Sequence, residues 1–243
     1  MFTPPFTSVA DLPSQLAEFG HAVLAPTAVE AQFGVSPAEL AALAPFWSDL
    51  PPDTWLKDGG RYRFRRHSCF VHDAAGLRQA PHRAHWQPLD YNALHGGIER
   101  LFEPMAPACA AAPGFIKLLA GLAEVASRLR GARPWFIESH QFRIDTAQGI
   151  GRPTPEGAHR DGVDLVAVFL VARANIKGGE SRVFEAAGPR GQRFTMSEPW
   201  TLLLLDDARV IHETTPIQPL LAETAGHRDT LVVTLRADGF QGP

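Results

Sequence analysis

From Arg133 onward the chain is a succession of short β-type runs. "PWFIESHQFRID", "DLVAVFLVA", "SRVFEA", "QRFTM", "PWTLLLLDD" and "RDTLVVTLR" are separated by Gly, Pro and Asp at intervals typical of an all-β barrel or sandwich. No helix-length pattern interrupts them, which argues against alternating βαβ units. This half is therefore expected to be an antiparallel β core.

The half before Arg133 reads as mainly helical. "SPAELAALAPFW" offers Ser36, Pro37 and Glu39 as a capping box with proline at the first helical position. "PGFIKLLAGLAEVASRLRGA" carries apolar residues at 115, 116, 118, 119, 122, 125, 126 and 129, a broad helical stripe, with Gly131 as its stop. Between them "GRYRFRRHSCFVH" alternates as a strand from about Tyr62 to Val71. The expectation is one α+β domain, mainly β, spanning 1–243. Residues 1–132 supply mostly helical support with an early strand, and residues 133–243 supply the core that carries the site.

Composition removes several function classes. With 45% hydrophobic and 20% charged residues the chain can bury a substantial core. Its 23 basic and 26 acidic residues give a net charge of −3, which points to no nucleic-acid or anionic-membrane surface. Cys69 and Cys109 are too few for a disulfide framework or a thiolate metal site. The start "MFTPPFTSVADLPSQ" lacks the pattern of a secretion signal, and no apolar run approaches membrane-spanning length. A cytoplasmic location is expected, and an oligomer is compatible with the sequence.

The chemistry concentrates in "EGAHRDGVDLVAVFLVA". Residues i and i+2 of an extended segment point to the same side, so His159 and Asp161 can present two ligands to one ion. A facial Fe(II) site takes two imidazoles and one carboxylate. "TLLLLDDARVIHETTP" supplies the second imidazole as His212, after room for about three strands. A dicarboxylate cosubstrate would need a buried cation, preferably a forked guanidinium. "HRDTLVVTLR" supplies Arg228, with Thr230 facing the same side of that strand.

In this order the four elements resemble the Fe(II)/2-oxoglutarate-dependent dioxygenases, whose pattern is His-x-Asp, a distal His and a later Arg-x-Ser/Thr. "PTPEGAHRDGVDLVAVFLVARANIKGGESRVF", "LLLLDDARVIHETTPI", "HRDTLVVTL", "YNALHGGIERLFEP" and "HQFRID" are similar to a small bacterial branch that includes L-isoleucine dioxygenase and related hydroxylases of free aliphatic amino acids. The similarity runs from about residue 62 to 236.

The resemblance implies a double-stranded β-helix, a cupin-like jelly roll braced by the N-terminal helices. It implies Fe(II), 2-oxoglutarate and O2 as cofactor and cosubstrates. His159, Asp161 and His212 become the iron ligands, and Arg228 with Thr230 the anchor for 2-oxoglutarate. The gap from His212 to Arg228 is longer than is usual in the wider superfamily, so Arg236 on the same strand is the fallback. The implied reaction is hydroxylation of an aliphatic C–H, with release of succinate and CO2. The implied partner is a small molecule, a free L-amino acid, and neither nucleic acid nor membrane.

Glu156, Gln141 and Arg143 are the candidate substrate contacts, the last two sharing one face of their strand. Asp206 and Asp207 sit near His212, either orienting an imidazole or simply ending a strand. His72, His82 and His85 in "HDAAGLRQAPHRAHW" suggest a second metal site, against a solvated loop over the active site as the expected reading. His21, His67, His95, His140 and His227 complete the histidines, and Tyr91 and Asn92 match the branch motif. Gly178 and Gly179 read as a hairpin turn. Two other classes fit the fold: a cupin-like metalloenzyme that does not use 2-oxoglutarate, and a non-catalytic jelly-roll binding protein.

Overall fold

The structure is a computed structural model that describes every residue except Met1, Ala93 and His95. Its framework is a seven-stranded antiparallel sheet. The strands are β1 (His21–Leu24), β2 (Arg63–Asp73), β3 (Gly76–Gln79), β4 (Trp135–Asp145), β5 (Leu165–Ala174), β9 (Leu202–Asp206) and β12 (His227–Arg236), in the order β1-β9-β5-β12-β4-β2-β3. A second layer contains β10 (Val210–Thr214), β7 (Ser181–Glu185) and β8 (Gly191–Phe194) in that order. β11 (Ile217–Pro219) pairs with β6 (Ile176–Gly178) beside them. This is the jelly-roll architecture.

The helices cover one face of the large sheet. They are α1 (Leu12–Phe19), α2 (Pro26–Phe33), α3 (Pro37–Leu43), the short α4 (Pro107–Ala110) and α5 (Pro113–Arg130). Ser36 and Glu39 form the expected capping box at α3, each side chain bonding the other residue's backbone N–H. The apolar stripe of α5 buries Phe115, Leu118, Leu119 and Leu122 with Ile137 of β4, Phe169 of β5 and Leu231, Val233 and Leu235 of β12.

Alternation along the strands divides two cores. The run "LLLL" of β9 reads as continuous because both of its faces are buried. Leu202 and Leu204 join the helical core, while Leu203 and Leu205 meet Val166, Val183, Phe194 and Val210 between the sheets.

Two features differ from the sequence reading. The N-terminal half contributes three strands to the large sheet rather than one early strand, because β1 is only four residues and β3 is a hairpin return of β2. Gly178 and Gly179 do not close a hairpin: β6 pairs with β11, whereas β7 pairs with β10. At φ of 80° and 67° they carry the chain between the two pairings. A Cβ at Gly178 would lie 2.2 Å from the Pro216 carbonyl oxygen.

Candidate metal centre

His159, Asp161 and His212 come together where the segment before β5 meets β10. His159 and His212 exchange backbone hydrogen bonds, N–H to O=C at 3.0 and 2.9 Å, an isolated antiparallel bridge that sets both side chains on one side. Their Nε2 atoms lie 3.9 and 3.7 Å from the two oxygens of Asp161. One donor atom from each residue falls within 4.8 Å of the others.

The protonation chemistry suits a cation. His159 Nδ1 donates to the Gly157 carbonyl at 2.9 Å, which leaves Nε2 as the lone pair facing Asp161. Burial raises the Asp161 carboxyl to about 6, and the Asp207 and Glu156 carboxylates push the same way. Burial and the neighbouring His159 keep His212 neutral by lowering its pKa. For His159, burial opposes the charged form, but Asp161 and Glu156 outweigh it. Two imidazoles and one under-compensated carboxylate are a donor set that fits Fe(II).

Three residues hold Asp161 in place, one of them Gln241, whose Nε2 donates to the Asp161 backbone carbonyl at 3.0 Å. The Asp207 carboxylate accepts three backbone N–H bonds, from Asp161 (3.0 Å), Gly162 (2.7 Å) and Val163 (3.1 Å), so it fixes the turn that aims Asp161. It orients the carboxylate ligand candidate rather than a histidine. Asp206 pairs with Arg130 instead. Gln87 Nε2 donates to Asp161 Oδ1 at 3.0 Å, and the Gln87 carbonyl accepts from Arg100 and Asn92. Nothing in the local sequence marks Gln87, which lies in the irregular stretch after β3.

The triad opens on a cavity of about 130 Å³. Its floor is a grid set by strand register, with Arg228, Ile144 and Arg63 in one row across β12, β4 and β2. Thr230, Phe142 and Arg65 form the next row, then Val232 and His140, with His67 next to His140 in the register but outside the lining. Arg228 is buried, and its Nη2 has no partner among the described residues. Burial brings its pKa down to about 10, with Arg173 beside it adding to the effect. Arg173, opposite it on β5, also keeps an unpartnered Nη1. Arg228, in the cavity wall with an unpartnered N–H and Arg173 adding positive charge beside it, fits the free carboxylate of 2-oxoglutarate. The fallback Arg236 instead donates to the Gly239 carbonyl at 3.1 Å.

Other sequence-derived candidates fare differently. Glu156 borders the cavity with Oε1 3.5 Å from His159 Nε2, and its buried Oε2 has no partner among the described residues. Gln141 and Arg143 lie on the opposite face of β4 from the cavity, whose wall takes Glu138, His140 and Phe142 from that strand. Gln141 donates to the Phe46 carbonyl under the helical layer, and Arg143 is forked onto Asp229 at 2.8 and 2.7 Å. Neither reaches the site.

The reading of a solvated loop fails at His85, which is buried, whereas His82 is exposed and His72 half-buried. His85 joins His67, Glu138 and His140, again with donor atoms within 4.8 Å of one another. Hydrogen bonds take up most of this cluster, with His67 Nδ1 left without a partner among the described residues. Glu138 Oε2 accepts from His67 Nε2 (2.9 Å) and His85 Nδ1 (2.6 Å). Arg65 donates to His140 Nδ1 at 2.7 Å, so the proton of that neutral ring sits on Nε2 and no lone pair remains there for a metal. His95 lies outside the described residues.

Among the described residues no helix is long and apolar enough to cross a membrane. The profile of the family described as 2OG-Fe dioxygenase matches residues 44–234. No curated protein matches the sequence. The chain is 50% identical to a bsmA homolog from Methylobium petroleophilum PM1, with a TM-score of 0.93 over 99% of this chain and 98% of that one. IDO from Bacillus thuringiensis superposes with a TM-score of 0.78 at 18% identity, over 95% of this chain and all of that one (100%). The Fe(II)/α-ketoglutarate-dependent dioxygenase TqaL gives 0.70 at 18% identity, over 94% and 86%. At that identity the last two bear on the fold alone. The profile match covers most of the chain, and the chain therefore belongs to the 2OG-Fe dioxygenase family, as an Fe(II)- and 2-oxoglutarate-dependent enzyme using O2.

Proposed function

We propose that His159, Asp161 and His212 hold the Fe(II), that Arg228 and Thr230 hold the distal carboxylate of 2-oxoglutarate, and that the enzyme hydroxylates an aliphatic C–H of a small molecule. Iron, when bound, supplies the O2 activation that oxidises 2-oxoglutarate to succinate and CO2. The protein's share is position. Asp207 and Gln87 fix Asp161, the Gly157 carbonyl fixes the His159 ring, and Arg228 fixes the cosubstrate at the far end of its row.

The observation that carries this reading is Arg228, a buried guanidinium with an unpartnered N–H in the wall of the cavity that opens on the triad. A buried cation without an anion is costly, so the fold has reason to keep one only where a ligand completes it. Arg228→Gln is expected to raise the 2-oxoglutarate concentration needed for half-maximal succinate release by roughly 10- to 100-fold, the worth of a charged hydrogen bond. Fe(II) binding should persist. Unchanged 2-oxoglutarate dependence would remove Arg228 from the site.

For the substrate we favour a free aliphatic L-amino acid, as the bacterial branch resemblance implies. The unpartnered Glu156 oxygen beside the triad suits an ammonium group. We read residues 1–243 as one domain. A cytoplasmic setting is consistent with Cys69 and Cys109, both buried and unpaired.

A further inference from the structure

We propose that Arg65 and Arg100 form a second anion-binding end of the cavity, which takes a carboxylate of the primary substrate. The inference rests on the reading of the cavity as the hydroxylation site and names what that site accepts beside 2-oxoglutarate.

The register separates this end from the cosubstrate's. Arg65 lies two strands from Thr230 in one row, with Phe142 between them, a separation of about 10 Å at the usual strand spacing. The two ends therefore start from different strands of the cavity wall. Arg65 and Arg100 are buried, border the cavity, and each keeps an Nε with no partner among the described residues.

These cations lack a carboxylate of their own. Asp53 is taken by Arg63 at 2.7 Å and stands 3.8 Å from Arg65. Glu138 Oε2 is taken by His67 and His85. Among the described residues the side chain of Arg100 donates to the neutral Gln87 side-chain carbonyl, at 3.0 Å. Burial depresses its pKa to about 10, and Arg63 adds to the effect. A purely structural network would satisfy its N–H groups; this one leaves two buried Nε groups without a partner among the described residues.

The site is also built before any ligand arrives. The Arg65 guanidinium lies 3.7 Å from the Phe102 ring centroid and 4.4 Å from that of Phe142, and its Nη2 is fixed by His140. Arg100 is tied to His85 by two backbone hydrogen bonds, at 2.9 and 3.0 Å. Through Gln87, Arg100 is one side chain away from Asp161. A carboxylate held here therefore brings a carbon a few bonds away to the metal centre, and the substrate class is a compact carboxylic acid.

The test pairs aliphatic L-amino acids with their carboxamides, which keep the ammonium group and lose the negative charge. Each is titrated into the anaerobic Fe(II)·2-oxoglutarate enzyme, reading the visible spectrum, and then assayed aerobically for succinate release. The acids are expected to bind at least about tenfold more tightly than the amides, and Arg65→Gln or Arg100→Gln to remove most of that difference. The 2-oxoglutarate dependence should stay within about twofold of wild type, since neither residue faces that cosubstrate's carboxylate.

Amides that bind as well as acids would overturn the proposal, as would acid affinity unchanged in both variants. If Arg65→Gln fails to fold, Arg100→Gln, which breaks no carboxylate pair, and the wild-type comparison still decide it. Failure of the underlying reading looks different: wild-type enzyme with Fe(II) bound would show no spectral response to 2-oxoglutarate.

Discussion

His159, Asp161 and His212 at one end of the cavity, and His67, His85, Glu138 and His140 at another, are chemically similar sets with equally close donor atoms. They differ in what lies behind each ring. In the first, a backbone carbonyl takes the His159 Nδ1 proton, which leaves its Nε2 lone pair facing a buried carboxylate, and His212 Nδ1 has no partner among the described residues. In the second, the carboxylate takes two ring N–H groups and a guanidinium occupies a nitrogen of the third ring. The surrounding charge differs too: Glu156 stands against the first set, while Arg65 and Arg83 stand against the second. Residue type alone does not make a metal centre; the hydrogen bonds behind the rings and the local charge decide it.

The sharpest way to break this comparison is to remove one histidine from each set. His159→Ala is expected to abolish Fe(II) binding and bring succinate release below detection, read by metal analysis and activity. His67→Ala should leave the Fe(II) content unchanged. Loss of bound iron in the second variant alone would invert the assignment.

Glu138→Ala sharpens the same point through stability. It leaves two buried imidazole N–H groups without an acceptor and removes the carboxylate nearest Arg83, so a loss on the order of 3–5 kcal/mol is expected in denaturant unfolding. A metal reading of the cluster predicts instead that added Zn(II) stabilises wild type and not the variant.

How much of this was legible beforehand depends on sequence distance. His159 and Asp161 are two residues apart on one segment, and Arg228 and Thr230 likewise share a strand face, so periodicity alone brings each pair together. The second set draws on β2, β4 and the stretch after β3, and it exists only through the register that sets His67 opposite His140. The misplacement of Gln141 and Arg143 has the same origin. Both faces of β4 are buried around "ESHQ", one by the cavity and one by the helices, so alternation defines two faces without saying which one is the site. β1 leaves no mark in the sequence, because four residues carry too little pattern.

Acid pH separates the two sets without mutation. Burial holds His85 at about 4, against 6.5 unperturbed, with Glu138 opposing, and His67 and His140 shift in the same direction. A histidine whose folded pKa lies below its unfolded one favours the folded state at neutral pH. That contribution is lost as pH falls from about 6.5 towards 4, because the unfolded chain then binds the proton. For His85 the loss amounts to about 3 kcal/mol across the window. The raised Asp161 carboxyl contributes the opposite slope over the same range, so the wild-type profile is read against His85→Asn, whose denaturant midpoints should fall less between pH 7 and 4.5. Identical slopes in the two proteins would mean that His85 does not change its protonation on unfolding.

The smallest expected effect sits between the two sets. Gln87 donates to Asp161 and accepts from Arg100, so its side chain joins the open triad to the cationic wall. It contacts no metal, so its removal should loosen Asp161 without deleting a ligand. Gln87→Leu is expected to weaken Fe(II) affinity by roughly 10- to 100-fold, the usual worth of a group that orients a ligand. The decisive companion is Gln87→Glu. It keeps the reach, but its charge opposes Asp161 and favours Arg100, so iron affinity should change while the Arg100 contact survives. If Gln87→Leu and Gln87→Glu bind Fe(II) as wild type does, Asp161 is positioned without Gln87, and the two ends of the cavity are mechanically independent.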